Sequence, residues 1–147
     1  MSTDEKTTTD LIETLKNGEE GFRKAAEKLS DSSRADLADE FTVYSEQRAR
    51  FAAELAAMTN AYGDDVPQRS TLPGAVHRGW IAVKDALSGS SPEAVLKAAS
   101  TGEDHAVAEY EDAMQANISD DLRSVLARQF SEVSKTRNRV SALAEQS

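Results

Sequence analysis

The stretch SPEAVLKAASTGEDHAVAEYEDAMQA, residues 91–116, carries the signals that decide the fold. Ser91 can cap a helix, Pro92 suits its first turn and Glu93 faces the positive end of the helix dipole. Behind them Leu96, Ala99, Glu103, Ala106, Tyr110 and Ala113 recur at three- and four-residue spacing, the period of one helix face. Glu103 is the only charged residue in that series, so the spacing predicts a helix to about Ala116 with one carboxylate pointing inward.

The same period extends outward in both directions. Asn117 can end this helix and Ser119-Asp120-Asp121 can cap the next, along which Leu122, Leu126, Val133, Val140 and Leu143 form a stripe. Upstream, Leu11, Leu15, Phe22, Ala25, Ala26 and Leu29 predict a first helix over roughly 9–29, with Asp10 and Glu13 as its start box and residues 1–8 as a disordered polar tail. The Ser30-Asp31-Ser32-Ser33 cluster then supplies a stop and a new cap. Leu37, Phe41, Tyr44, Phe51, Ala52 and Leu55 line a second helix to about Tyr62, where Gly63 offers a C-cap. Between Gly63 and Ser91 lies the least regular segment. It holds Pro67, Pro73, Gly74, Gly79 and Gly89 around Val76, Trp80, Ile81, Val83 and Leu87, and reads as a crossover with a short helix near 74–87.

Little of the chain alternates with period two, so the class is all-α. Two short connections and one long one correspond to a ferritin-like four-helix bundle, since an up-down-up-down bundle needs only short loops. A coiled coil or elongated rod is the alternative, and the strong caps and tight turns argue against it. At 147 residues and 39% hydrophobic composition, a single domain over 9–146 is expected.

Composition also removes whole classes of function. Cys is absent, so disulfides, thiolate metal sites and Cys nucleophiles are excluded. A formal net charge of −9 opposes general affinity for nucleic acid or an anionic membrane. No apolar run approaches the length of a membrane span, and the first residues lack the basic start and apolar centre of a signal peptide, so a cytoplasmic location is the default expectation. Neither a Gly-x-Ser-x-Gly turn nor a Gly-rich phosphate loop is present, which leaves metal chemistry as the enzymatic alternative.

Polar residues on the buried stripes are therefore the candidate site. Besides Glu103, they are Arg48 at the stripe centre of the second helix, Gln129 and Thr136 on the last, and Glu19 on the first, roughly 60° from its stripe centre. All lie near mid-helix. Glu19 and Glu103 around Arg48, with Gln129 and either Tyr44 or Tyr110, predict a buried ion-pair and hydrogen-bond layer that sets helix register. The competing reading is a dinuclear iron or manganese site in which Glu19, Glu103 and Gln129 act beside Arg48. Glu-x-x-His, which di-iron bundles use on two of their helices, occurs nowhere. The two histidines are His77, in the crossover, and His105, two residues after Glu103. His77 and Trp80 are candidate partner contacts, with Trp80 sealing one end of the bundle as the plainer reading. Helical bundles often self-associate, so a homodimer fits the pattern, with no interface specified.

Asp10 through Phe22, Arg48 through Leu55, His77-Arg78-Gly79-Trp80, Gly102-Glu103-Asp104 with Tyr110, and Arg128-Gln129-Phe130 together resemble a bacterial family of four-helix-bundle proteins placed in the ferritin-like superfamily. The domain that defines it carries a label of unknown function, and the resemblance covers about Thr9 to Leu143. It implies a ferritin-like bundle in stress-response settings with no established catalytic residues. Members commonly show a His-Asp pair on the last helix where this chain has Arg137-Asn138, a departure that removes an imidazole from any metal site.

Overall fold

A computed structural model of the protein describes residues 3–61 and 91–146. Among these residues the chain is all-α. It forms four long helices, α1 (Thr3–Ser30), α2 (Ala38–Ala61), α3 (Pro92–Gln115) and α4 (Asp120–Glu145), with a 3-10 turn at Ala35–Leu37 leading into α2. The expected Gly63 cap, the short helix near 74–87, His77 and Trp80 lie outside the described residues.

Each helix buries a seam of alternating three- and four-residue spacing: Thr8, Leu11, Leu15, Gly18, Phe22, Ala25 and Leu29 on α1; Phe41, Ser45, Arg48, Ala52, Leu55 and Thr59 on α2; Leu96, Ala99, Glu103, Ala106, Tyr110 and Ala113 on α3; and Leu122, Leu126, Gln129, Val133, Thr136, Val140 and Leu143 on α4. That spacing keeps the apolar stripe on one side of a helix over its whole length, the condition for packing nearly parallel axes side by side. The apolar members gather into two clusters. Phe22, Leu29, Leu37, Phe41, Leu96 and Val140 fill one end of the bundle. Leu11, Leu15, Leu55, Tyr110, Leu122 and Leu126 fill the other.

The clusters also fix helix direction. The start of α2 (Phe41) and the start of α3 (Val95, Leu96) share one cluster, and the end of α2 (Leu55) and the end of α3 (Ala113) share the other, so these two helices run the same way. α1 and α4 run opposite to both. α1 packs closely on α2 and on α3, and α3 on α4. Where α1 meets α2, the Ser45 hydroxyl donates to the main-chain carbonyl of Glu19 at 2.7 Å, which requires the backbones to come close, and Gly18 and Gly21 flank that carbonyl. The α2–α4 edge is spanned instead by long side chains: Arg139 donates twice to Glu40, at 2.9 and 3.1 Å, and Arg128 pairs with Glu54.

Helix ends follow the local sequence, with two exceptions. Ser91 accepts from the Ala94 amide at 3.1 Å and Ser119 from the Leu122 amide at 3.2 Å, as N-caps do. Arg123 donates to the main-chain carbonyls of Met114 and Ala116, satisfying acceptors that the end of α3 leaves open. One is the start of α2, which the Ser30-Asp31-Ser32-Ser33 cluster does not cap: Ser32 Oγ donates to the Leu29 carbonyl and accepts from the Arg34 amide, and an uncapped 3-10 turn leads into Ala38. The other is α1. Its start box is not Asp10 and Glu13, and residues 3–8 are not a tail, because the helix already begins at Thr3. Thr8 and Thr9 are buried and Asp4 accepts the main-chain amide of Ser119 at 2.9 Å, so tertiary contacts carry helix through a threonine run of modest propensity.

Candidate functional site

Arg48 occupies the middle of the α2 seam and is 1% exposed, and Glu103 occupies the middle of the α3 seam and is fully buried. Their helices are related across the bundle axis, and the two side chains meet there. Arg48 Nη1 donates to Glu103 Oε1 at 2.7 Å and Nη2 to Oε2 at 2.6 Å, a two-pronged pair that uses both carboxylate oxygens. The guanidinium carbon lies 5.2 Å from the centroid of the Phe22 ring, so α1 contributes an aromatic face at this level, and Nε reaches Gln47 Oε1 at 3.4 Å. Phe22 is itself held by edge contacts to Phe41 and Tyr44 at 5.5 and 5.4 Å.

One level along, Tyr110 and Gln129 extend the polar interior. The Tyr110 hydroxyl donates to Gln129 Oε1 at 2.7 Å, and Gln129 Nε2 donates to Glu54 Oε1 at 2.8 Å and to the Phe51 carbonyl at 3.4 Å. Glu54 pairs in turn with Arg128 at the surface. Burial pushes the Tyr110 hydroxyl well above the ordinary tyrosine range, and the charges of Arg48 and Glu103 act in opposite directions on it. It remains protonated at neutral pH and serves as a donor.

The structure thus brings Arg48, Glu103, Tyr110 and Gln129 into the polar interior, while Glu19 lies elsewhere. The α1 seam passes through Gly18 and Phe22, and Glu19 is turned about 100° from Gly18. It is half-buried beside an open groove of about 260 Å³ lined with Lys16, Ala49, Ala53 and Ala56. The triplet Glu19, Glu103 and Gln129 is therefore not a ligand set here. Tyr44, the other tyrosine considered for the layer, is half-buried and donates to Glu40 at 2.5 Å. Two participants escape a reading of the stripes alone. Glu54 sits at the border of the α2 stripe, one turn after Phe51, and Phe22 looks like ordinary core. A carboxylate at a stripe border facing Gln129 and Arg128 on another helix is recognisable only when the pairing of helices is known.

Among the described residues, no group of three or more His, Cys, Asp or Glu side chains converges as a metal site. More telling is the donor chemistry at mid-bundle: a fully buried carboxylate with both oxygens bound to a guanidinium, a phenol, and an amide that bonds the half-buried Glu54 carboxylate, itself paired with Arg128. These residues do not fit a dinuclear metal centre, which needs several free carboxylate or imidazole donors. The arrangement pairs the Glu103 charge with that of Arg48.

Among the described residues, four long helices with a buried Arg–Glu pair at mid-bundle are the class that fold and site define. Residues 5–116, covering α1 to α3 and therefore both Arg48 and Glu103, match the family described as Domain of unknown function (DUF2383), and the chain belongs to that family. No curated protein and no solved structure matches it. None of the helices described is long and apolar enough to cross a membrane.

Proposed function

We propose that this chain is a non-enzymatic bundle of ferritin-like topology, in which a buried Arg–Glu–Gln–Tyr layer stands where related bundles would hold a di-iron centre, and which acts through its surface in a stress-associated or protein-interaction role. The observation that carries the reading is the closed pair of Arg48 and Glu103, which commits the mid-level carboxylate of α3 to a cation on α2. The common direction of α2 and α3 supports the topology, because a bundle with one long crossover places its second and third helices in that relation. The stress-associated role rests on the family resemblance, and the bacterial source and cytoplasmic location belong to the same proposal.

The test is metal content by elemental mass spectrometry, on protein purified without chelator and again after incubation with ferrous iron and desalting. Far less than one equivalent of iron or manganese is expected in both samples. Near-stoichiometric metal, lost in Glu103→Gln while the helical signal is retained, overturns the reading and makes the chain a metalloprotein.

A further inference from the structure

The α1–α3 interface carries a second cluster of charge, separate from the Arg48–Glu103 layer. Near the N-terminus of α1 and the C-terminus of α3, an open cavity of about 240 Å³ is lined by Lys6 and Asp10 from α1 and by Glu109 and Asp112 from α3, with Leu11 and Ala113 between them. Among the described residues, three carboxylates and one ammonium line it. Asp10 and Glu109 are half-buried, whereas Lys6 and Asp112 are exposed. Burial pushes the Glu109 carboxyl above the ordinary glutamate value of 4.5, and the charges of Asp112 and Asp10 push it further. Burial also raises Asp10, with Lys6 opposing. His105 lies one turn before Glu109 on its own helix, and α4 places no residue on the cavity wall.

We infer that the α1–α3 seam is a proton-responsive clasp: on mild acidification Glu109 takes a proton from solvent, the repulsion across the cavity falls, and α1 packs more firmly on α3. The physical cause is the imbalance of the cavity. Two half-buried carboxylates with the exposed Asp112 beside them cost free energy that one exposed Lys6 offsets only in part, and neutralising the most central of them removes the largest share. Glu109 is that residue, because it faces Asp10 across the interface and Asp112 on its own helix. In the unfolded chain these carboxylates separate, so the proton binds more tightly to the folded state and folding gains as pH falls toward 4.5.

Two measurements on the full chain test this. Carboxyl-detected NMR titration of the folded protein is expected to place the Glu109 midpoint above 4.5. Thermal unfolding from pH 7.5 down to 4.5 is expected to show Tm rising as pH falls. Glu109→Gln should raise Tm at pH 7.5 by about 2 °C and reduce the rise on acidification, whereas Glu111→Gln, which removes the same charge from an exposed site on α3, should leave both within about 1 °C. A Glu109 midpoint at or below the ordinary value, or equal effects of the two variants, overturns the proposal. The control separates the clasp from a general relief of the −9 net charge.

Discussion

Arg48 is the residue on which the interior depends most. It is large, charged and 1% exposed, and its partner Glu103 is fully buried, so neither can lose the other without leaving a bare charge in a dry core. Arg48→Ala is expected to cost about 3–5 kcal/mol, whereas Arg50→Ala, at an exposed site two residues further along α2, should stay within about 0.5 kcal/mol. Urea unfolding followed by circular dichroism measures both, and equal losses would contradict the pairing. Replacing both partners together by apolar residues, as in Arg48→Met with Glu103→Leu, should recover most of the loss, because a buried ion pair adds little over a well-packed apolar pair. Arg48 and Glu103 were legible in the sequence as charged members of otherwise apolar series. Glu19 was misplaced by about one residue of rotation: a stripe centred on Phe22 leaves Glu19 at its edge, and the packed seam runs through Gly18 instead. A glycine has no side chain to announce that it lies in the interior. Close approach of two backbones, such as the Ser45 contact to the Glu19 carbonyl, becomes visible only once the helices are docked.

Among the elements, α1 departs most from expectation. Its first turns hold three consecutive threonines, poor helix formers by intrinsic propensity, and a local reading starts the helix after them. In the folded chain Thr8 is fully buried and its hydroxyl donates to the Asp4 carbonyl at 2.6 Å, while the Asp4 carboxylate holds the first amide of the α4 cap. Removing residues 1–8 should therefore destabilise the bundle by about 1–3 kcal/mol, with a clear fall in Tm by differential scanning calorimetry. An unchanged Tm would restore the view of this segment as a dispensable tail. The starts of α3 and α4 were legible because their signals are local: Ser91 and Ser119 act through side chains that bond their own first turn.

For the molecule as a whole, pH acts through groups of opposite sign. Glu109 is raised by burial and by its acidic neighbours, so its contribution to stability grows as pH falls from neutrality toward 4.5. Glu40 behaves in the opposite sense. The hydrogen bond from Arg139 holds it below the ordinary 4.5, with burial opposing and Tyr44 assisting, so its stabilising contribution is present at neutral pH and is lost as pH falls below 4.5. Stability should therefore pass through a maximum on the acidic side of neutrality, seen as a maximum in Tm across a pH 3–8 series. Arg139→Gln should weaken the fall on its acid side while leaving the rise from neutrality in place.

The repeating three- and four-residue spacing determined by itself that the described residues are all-α, that the four long helices among them carry one buried stripe each, and that Arg48, Glu103 and Gln129 belong to those stripes. Period and capping are properties of a helix with its own neighbours in sequence, so they survive without knowledge of the partner. The tertiary structure decided the rest: that Arg48 meets Glu103 across the bundle axis with both prongs, that Glu54 joins Tyr110 and Gln129, that α1 begins at Thr3, and that three carboxylates share one cavity between α1 and α3. Each of these depends on the rotation and height at which two helices dock. That is set by the sum of many contacts between residues far apart in the chain, Arg48 and Glu103 among them.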